Sequence, residues 1–213
     1  MRRQGAGIDP YQQPEGAGKG HRAFFDRAAQ SWDIHRDPDV ERRLAGLLAR
    51  VALRPGARVL DVGTGTGILV PHLWKAMEGR GSIVAFDFSL EMLCQAQAKR
   101  VRASLLQVNA MSLPFTENSF DHAICNAVFP HLPDKDQALA ELSRVLKPSG
   151  ELAICHAWSR QHVNMFHRTA GGAVAHDMLP DEAEMGRLLS QADFDEIHIW
   201  DEQDRYLALA RKG

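Results

Sequence analysis

The sequence has no long apolar segment and few cysteines. Its apolar runs are only a few residues long, whereas a helix that crosses a bilayer needs about 20 apolar residues, so we expect no membrane span. Arg2 and Arg3 precede a polar stretch in place of the apolar segment of a secretory signal. The three cysteines, Cys94, Cys125 and Cys155, are odd in number, which favours reduced thiols and a cytoplasmic location.

The sequence also lacks an excess of charge. Its formal net charge is -2 at pH 7, which argues against a protein that binds nucleic acid through bulk electrostatic attraction. Of its 213 residues, 45% are hydrophobic and 24% are charged, a composition typical of a globular chain with a sizeable core. No feature of the sequence predicts an oligomeric state.

The amino-terminal part of the chain divides into two stretches. Residues 1–21 are rich in glycine, glutamine and proline, and we predict a flexible arm there. Residues 22–52 are predicted to form two helices. In the second, Asp37 can cap the helix, Pro38 suits its first turn, and the apolar residues that follow recur at helical spacing. We expect residues 22–213 to form one domain.

From residue 58 onward, short apolar runs alternate with amphipathic stretches. This alternation predicts βαβ units and a parallel sheet with right-handed crossovers. The last two predicted strands are joined by a short polar turn, so they must be antiparallel neighbours, because a parallel pair needs a long crossover. The predicted strands are 58–62, 82–86, 104–108, 122–127, 151–156, 196–201 and 205–211, and the predicted helices lie near 67–77, 89–100, 134–147 and 181–192.

A glycine-rich turn follows the first predicted strand. Residues 61–67 read Asp-Val-Gly-Thr-Gly-Thr-Gly and lead into a predicted helix. Glycines let a backbone approach a ligand closely, and the first turn of a helix presents free N–H groups. A tight turn without a ligand is the alternative. The spacing G-x-G-x-G fits the dinucleotide fingerprint G-x-G-x-x-G poorly, which disfavours a nicotinamide cofactor.

This turn resembles the S-adenosylmethionine (SAM) motif of class I methyltransferases. The resemblance implies that Asp61, Gly63, Thr64 and Gly65 cradle the methionine end of the cofactor.

Asp87 and Phe88 stand at the end of the second predicted strand, where the family places a carboxylate. The resemblance implies that Asp87 accepts hydrogen bonds from both ribose hydroxyls and that Phe88 packs on the adenine. Asp87 has a second interpretation as an acid beside a helix, since Ser89 has the features of an N-cap.

Two further segments supply the remaining cofactor-binding candidates. Residues 109–115, Asn-Ala-Met-Ser-Leu-Pro-Phe, resemble the family's Asp-Ala-x-x-Leu-Pro-Phe, whose first residue faces the adenine amino group. The resemblance implies contacts from Asn109, Ala110 and Met111. An amide at position 109 can accept from the amino group and donate to a ring nitrogen. Asn126 is the candidate at the end of the fourth strand.

Three later segments resemble the ubiquinone/menaquinone-biosynthesis-like (type 11) branch of the family. They are residues 119–126, the loop 129–134 and the turn 144–150, which reads Arg-Val-Leu-Lys-Pro-Ser-Gly. In the loop, His131 is expected to line the mouth of the pocket. The fold that the resemblance implies is α/β, a Rossmann-like doubly wound sheet of seven strands, mostly parallel with one antiparallel strand near the C-terminus.

The resemblance places the methyl acceptor between a helical lid, residues 22–52, and the segment after the fifth strand, where we predict an acceptor-side insertion at about 157–180. Trp32 stands where relatives have an aromatic residue that covers the cofactor. An aromatic residue packed in the core is an equally good interpretation of Trp32.

Four of the ten histidines lie within 21 consecutive residues at the end of the fifth strand and in this segment: His156, His162, His167 and His176. They have three interpretations. They are ordinary polar or packing residues; or they orient or deprotonate the acceptor, with His156 and His167 as candidate catalytic residues; or the four are ligands of a metal or a metal-bearing acceptor. The i, i+5 spacing of His162 and His167 argues against a metal, because ligands on one helix face need i, i+4.

The sequence therefore predicts a SAM-dependent methyltransferase that transfers a methyl group by in-line displacement to a small-molecule acceptor. A non-catalytic SAM-binding protein is the first alternative, and a nicotinamide-dependent oxidoreductase is the second.

Overall fold

The computed structural model describes residues 20–34 and 37–213. The predicted flexible arm, residues 1–21, lies outside these ranges except for Gly20 and His21. Within the described ranges, no helix combines the length and the apolar character that crossing a membrane requires.

Seven strands form a single sheet in the order β3-β2-β1-β4-β5-β7-β6. Strands β1 to β5 are parallel, and β7 runs antiparallel to both of its neighbours. The predicted fold class is confirmed, including the single antiparallel strand near the C-terminus. The strands are β1 Arg58–Val62, β2 Ser82–Asp87, β3 Ser104–Gln107, β4 Phe120–Asn126, β5 Leu146–His156, β6 Phe194–Asp201 and β7 Tyr206–Lys212.

Helices cover both faces of this sheet. Each face carries its own apolar cluster, and a third cluster lies beneath the first helix. The α-helices are α1 His21–Ala28, α2 Val40–Leu48, α3 Val70–Ala76, α4 Leu90–Ala98, α5 Lys135–Val145, α6 Arg160–Ala170 and α7 Glu182–Gln191, and short 3-10 helices occur at Phe129–His131 and Gly172–Val174.

The order of the strands determines where a ligand can bind. Strand β1 pairs with β2 on one side and with β4 on the other, so the chain changes direction across the sheet between them. In open α/β sheets, ligands bind at such a switch point, beyond the carboxyl ends of the strands. The segments that follow β1, β2 and β4 therefore border the candidate site.

Two predicted boundaries differ from the structure by three residues or more. Helix α3 begins at Val70 and not at residue 67, because Gly67 has a φ of +83°, in the left-handed region that an α-helix excludes. Strand β5 begins at Leu146 and not at residue 151, because Leu146 already pairs with Phe120 of β4 before the register shifts.

Asp193, just after α7, has a φ of +62°, where a side chain with a Cβ is strained. We expect Asp193→Gly to stabilise the protein by about 0.5 kcal/mol, because relief of this strain exceeds the extra flexibility of the unfolded chain. Urea unfolding measures the change. Asp195→Gly is the matched control, since Asp195 lies in strand β6, where glycine weakens pairing. A less stable Asp193→Gly variant would contradict the expectation.

Candidate cofactor and acceptor site

The glycine-rich turn after β1 has two glycines with different surroundings. Gly63 and Gly65 both have positive φ angles, +63° and +55°. A Cβ on Gly63 would lie 2.3 Å from Cγ2 of Val128, in the segment after β4. A Cβ on Gly65 would have no atom of the described residues within 4 Å. Gly63 is thus required for packing, whereas Gly65 borders open space that a ligand can approach.

Asp87, at the end of β2, connects this turn to the next helix. Its Oδ2 accepts a hydrogen bond from the Gly65 N–H at 2.8 Å, and its Oδ1 accepts from the Ser89 N–H at 2.9 Å. Burial raises the pKa of Asp87, and the backbone donors oppose the rise. Because a carboxylate has about four acceptor positions, Asp87 can still accept from the ribose. Ser89 itself caps α4 by accepting from the Met92 N–H at 3.2 Å.

Aromatic side chains of the lid cover the end of β2. The ring of Phe25, in α1, lies 5.7 Å from the ring of Phe88 and 5.7 Å from the ring of Trp32, centre to centre. Phe88 and Trp32 are partly buried against the apolar cluster beneath the lid. Trp32 therefore packs in an apolar cluster with Phe25, as its second interpretation expects, and its cover of the cofactor stays a prediction.

Two acids of the lid bond directly to the cofactor motifs. Asp26 accepts from the Ser89 hydroxyl at 2.5 Å, and Asp33 accepts from the Thr66 hydroxyl at 3.1 Å. Lys99 contacts Asp33 and also donates to the Thr66 carbonyl oxygen at 3.0 Å. These bonds join the predicted lid to the glycine-rich turn and to the start of α4.

The remaining cofactor candidates lie at the ends of β3 and β4. The side-chain oxygen of Asn109 accepts from the Met111 N–H at 3.1 Å, which fixes the turn between them. Ala110 within that turn is buried. The side-chain oxygen of Asn126 lies 3.8 Å from the Cys155 thiol, its hydrogen-bond donor. The four candidates, Asn109, Ala110, Met111 and Asn126, lie at or just after the carboxyl ends of parallel strands, at the same edge of the sheet as Asp87.

Asp61 lies behind the turn and is 1% exposed. The Thr64 hydroxyl donates to its Oδ2 at 2.6 Å. Burial raises the pKa of Asp61 to about 7, against the effect of Thr64 and with a contribution from the charge of Asp87. Its carboxyl therefore orders the turn from within the protein.

We expect the wild type to lose stability relative to the Asp61→Asn variant as the pH rises from 4 to 7. The folded-state pKa of Asp61, about 7, is higher than its unfolded value, so its contribution is complete at low pH and is lost as the pH rises through 7. The difference in unfolding free energy between the two proteins cannot change by more than about 1.4 kcal/mol per pH unit. Denaturant unfolding of both proteins across this range measures the difference, and a difference that is constant with pH would contradict the assignment.

On the acceptor side, Asp177 lies at the centre of a group of histidines. Nδ1 of His131 contacts Asp177 Oδ2 at 2.6 Å, and Nε2 of His21, the first residue of α1, contacts both carboxylate oxygens, at 3.0 and 2.9 Å. Nδ1 of His167, in α6, contacts the backbone oxygen of Asp177. The rings of His131 and His167 are 4.8 Å apart. We call His21, His131, His156, His167 and Asp177 the histidine cluster.

His156, at the end of β5, completes this cluster. Its Nε2 is buried and has no hydrogen-bond partner among the described residues. Burial, together with the nearby His131 and His167, lowers the pKa of His156 to about 3. Burial also lowers the pKa values of His131 and His167, so at neutral pH these three imidazoles are uncharged.

The loop that carries Asp177 is fixed by Asn164. The Asn164 side chain, buried in α6, donates to the Leu179 carbonyl oxygen at 3.0 Å and accepts from the Leu179 N–H at 2.8 Å. Two reciprocal hydrogen bonds in a buried place hold the loop in one position, and they therefore also fix the position of Asp177.

Comparison with known proteins gives the family. A model of the methyltransferase domain matches residues 60–154. A ubiquinone/menaquinone biosynthesis C-methyltransferase from Methylococcus capsulatus is 30% identical over 211 residues, which cover 90% of this chain and 82% of that protein. The chain belongs to the class I SAM-dependent methyltransferases. Its branch is the ubiquinone/menaquinone-biosynthesis type.

A solved structure of this family agrees in fold. A SAM-dependent methyltransferase from Aquifex aeolicus has a TM-score of 0.69 and 26% identity, and the alignment covers 88% of this chain and 98% of that one. Some matches are shorter: a demethylmenaquinone methyltransferase from Lactiplantibacillus plantarum is 40% identical over 111 residues, 49% of this chain and 47% of that protein. The chain thus spans about half the length of this relative.

SAM is the cofactor of this methyltransferase family, and the described residues fit it. Gly65 borders open space, Asp87 accepts from the Gly65 N–H, and Phe88, the neighbour of Asp87, packs against Phe25. The positions of Asp61, Gly63 and Thr64 indicate a supporting role behind the turn, and direct contact of these three with the cofactor stays a prediction.

The four histidines of the acceptor segment do not gather as a set. His156 and His167 lie in the histidine cluster, whereas His162 and His176 are exposed, and His162 stacks on Trp158 at 5.1 Å. In residues 20–34 and 37–213, no group of three or more His, Cys, Asp or Glu side chains is arranged to hold a metal ion. The acceptor role of His156 and His167 stays a prediction beside the packing interpretation, and this geometry offers no support to the metal interpretation.

Sequence reasoning missed the centre of this cluster. The sequence assigned no role to Asp177 or His21, and it placed His131 at the mouth of the pocket. The contacts join residues 156 and 46 positions apart, and no local motif marks such pairs. The available signals were an acid within a histidine-rich segment and a histidine at the start of the lid helix.

Proposed function

We propose that this chain transfers the methyl group of SAM to a small-molecule acceptor bound beside the histidine cluster. One observation carries the proposal: the Phe25 ring contacts Phe88 on the cofactor side, 5.7 Å away, and His131 on the acceptor side, 5.0 Å away. The lid thus covers both halves of one site.

The chemistry requires positioning above all. Bound SAM supplies a methyl group already activated by its sulfonium. This chain's residues hold the ribose at Asp87, cover the site with Phe25 and exclude water with the closed lid. Alignment of an acceptor lone pair with the methyl carbon can contribute several kcal/mol, on the order of 7–11 in well-oriented systems.

The acceptor is proposed to be a small uncharged or weakly charged molecule. The imidazoles of His131, His156 and His167 are neutral at pH 7, and burial makes each costly to ionise. The net charge of -2 does not favour nucleic acid. Relatives carry the names demethylmenaquinone methyltransferase and ubiquinone/menaquinone biosynthesis C-methyltransferase, so quinone-type compounds are the first acceptors to test.

A cytoplasmic location is proposed from the cysteines. Cys94, Cys125 and Cys155 are free thiols, and the last two are buried. Unpaired thiols are typical of a reducing compartment.

Two measurements test the proposal. In calorimetric titration, SAM and S-adenosylhomocysteine are expected to bind with micromolar dissociation constants, unchanged by a chelator. With methyl-labelled SAM, label is expected to pass to a member of a panel of quinols, phenols, amines and thiols, or to a compound of a small-molecule extract. Absence of binding would contradict the cofactor assignment. Binding without transfer to any compound would favour the non-catalytic SAM-binding alternative.

A further inference from the structure

Asp177 determines which nitrogen carries the proton in two imidazoles. Burial opposes ionisation of Asp177, but the hydrogen bonds from His131 and His21 outweigh it and hold the pKa of the carboxyl below its ordinary value. A carboxylate only accepts, so Nδ1 of His131 is the donor in the 2.6 Å contact. A peptide carbonyl also only accepts, so Nδ1 of His167 donates to the Asp177 backbone oxygen. In both neutral rings, Nε2 is then the unprotonated nitrogen.

Of the three uncharged imidazoles in the histidine cluster, that of His131 is best able to hold an added proton. A cation that forms in a buried place needs a negative charge nearby, and His131 has the Asp177 carboxylate in direct contact. His167 bonds to a carbonyl, and His156 has a buried Nε2 without a partner in the described part of the chain. The titratable groups that influence His131 are His21, Lys135, His156, His167 and Asp177.

His131 also lies at the junction of the two halves of the site. It ends the short 3-10 helix Phe129–His131, which follows β4 at the switch-point edge of the sheet. A single ring, that of Phe25, separates it from Phe88. His21, the first residue of α1, bonds to the same carboxylate, so α1 helps to hold Asp177 against His131.

We propose that His131 is the catalytic base of this site and Asp177 its positioning residue, so that the acceptor is a molecule with an exchangeable proton on the oxygen or nitrogen next to Nε2. This inference rests on the proposed methyl transfer. The acceptor's O–H or N–H proton passes to Nε2 of His131. The electron pair released on the acceptor, or on a carbon conjugated with it, forms the bond to the methyl carbon. The pair of the broken carbon–sulfur bond stays on sulfur, and His131 later gives its proton to water.

The proton positions are directly measurable by long-range ¹⁵N–¹H correlation NMR. The sample is the full chain, labelled at histidine nitrogens, saturated with S-adenosylhomocysteine and titrated with acid. We expect His131 as the Nδ1–H tautomer, with a pKa below 6.5 because burial outweighs the carboxylate. Asp177→Asn is expected to lower that pKa further, by about 0.5 unit or more, since it removes the charge that opposes the shift. The Nδ1–H tautomer of His167 is the internal control, because its partner is a backbone carbonyl.

An Nε2–H tautomer of His131 in the wild type, or a pKa that Asp177→Asn leaves unchanged, would overturn the proposal. If Asp177→Asn does not fold, the tautomer and the pKa of the wild type still decide. Binding of S-adenosylhomocysteine is checked in the same sample, so a failure of the cofactor assignment is distinguished from a failure of the base assignment.

Kinetics gives the second readout. With an acceptor that takes up label, His131→Asn is expected to lower kcat by about 10²–10⁴-fold while SAM affinity stays within twofold. For the wild type, kcat should rise with pH through the pKa of His131, and Asp177→Asn should move that rise to lower pH. Turnover by His131→Asn at the wild-type rate would overturn the proposal.

Discussion

Replacing Asp87 with alanine is expected to weaken SAM binding at least tenfold. The carboxylate of Asp87 would accept two charge-assisted hydrogen bonds from the ribose, each worth roughly 1.5–3 kcal/mol. The same carboxylate holds the Gly65 and Ser89 N–H groups. Alanine therefore removes the ribose contact and also loosens the turn that borders the cofactor.

Calorimetric titration with SAM, and separately with S-adenosylhomocysteine, measures the loss. Asp195→Ala is the matched control, because Asp195 is an exposed acid on strand β6 and its removal should leave affinity unchanged. Folding of both variants is checked by thermal unfolding. Wild-type affinity in the folded Asp87→Ala variant would show that Asp87 does not bind the cofactor. Asp87 would then only stabilise the start of the helix, which is its second interpretation.

The sequence predicted the sheet and the cofactor side well because both depend on local patterns. Alternating apolar runs and helices determine a parallel sheet, and the glycines of residues 61–67 must lie in a turn at a strand end. Asp87 follows directly from its position at the end of β2. The error at Gly67 arose because a helical pattern does not reveal a residue with a positive φ.

The acceptor side was predictable only in part. Position on a helix separates His167 from His162: the first is buried in α6 and the second is exposed, which five residues of separation produce in a helix. His21, His131 and Asp177 are in contact because of the way α1 and the loop after α6 pack near the end of β4. Such long-range packing carries no periodic signal, so only the structure brings these residues together.

Gly63→Ala is expected to destabilise the protein by about 2–5 kcal/mol, the largest effect on stability that we predict. A residue with a Cβ at a φ of +63° is strained by about 1–2 kcal/mol. The added Cβ would also lie 2.3 Å from Cγ2 and 2.7 Å from Cβ of Val128, an overlap that typically costs about 1–3 kcal/mol to relieve. Denaturant unfolding measures the loss.

Gly65→Ala is the matched control, since it has a similar φ of +55° but no described atom within 4 Å of the added Cβ. The difference in stability between the two variants isolates the overlap with Val128, and Val128→Ala should restore part of it in Gly63→Ala. Equal stabilities would show that the segment after β4 moves away at little cost. Because Gly65 borders the cofactor crevice, Gly65→Ala should keep most of its stability and lose SAM affinity. Wild-type affinity in that variant would mean that the cofactor does not approach the turn at Gly65.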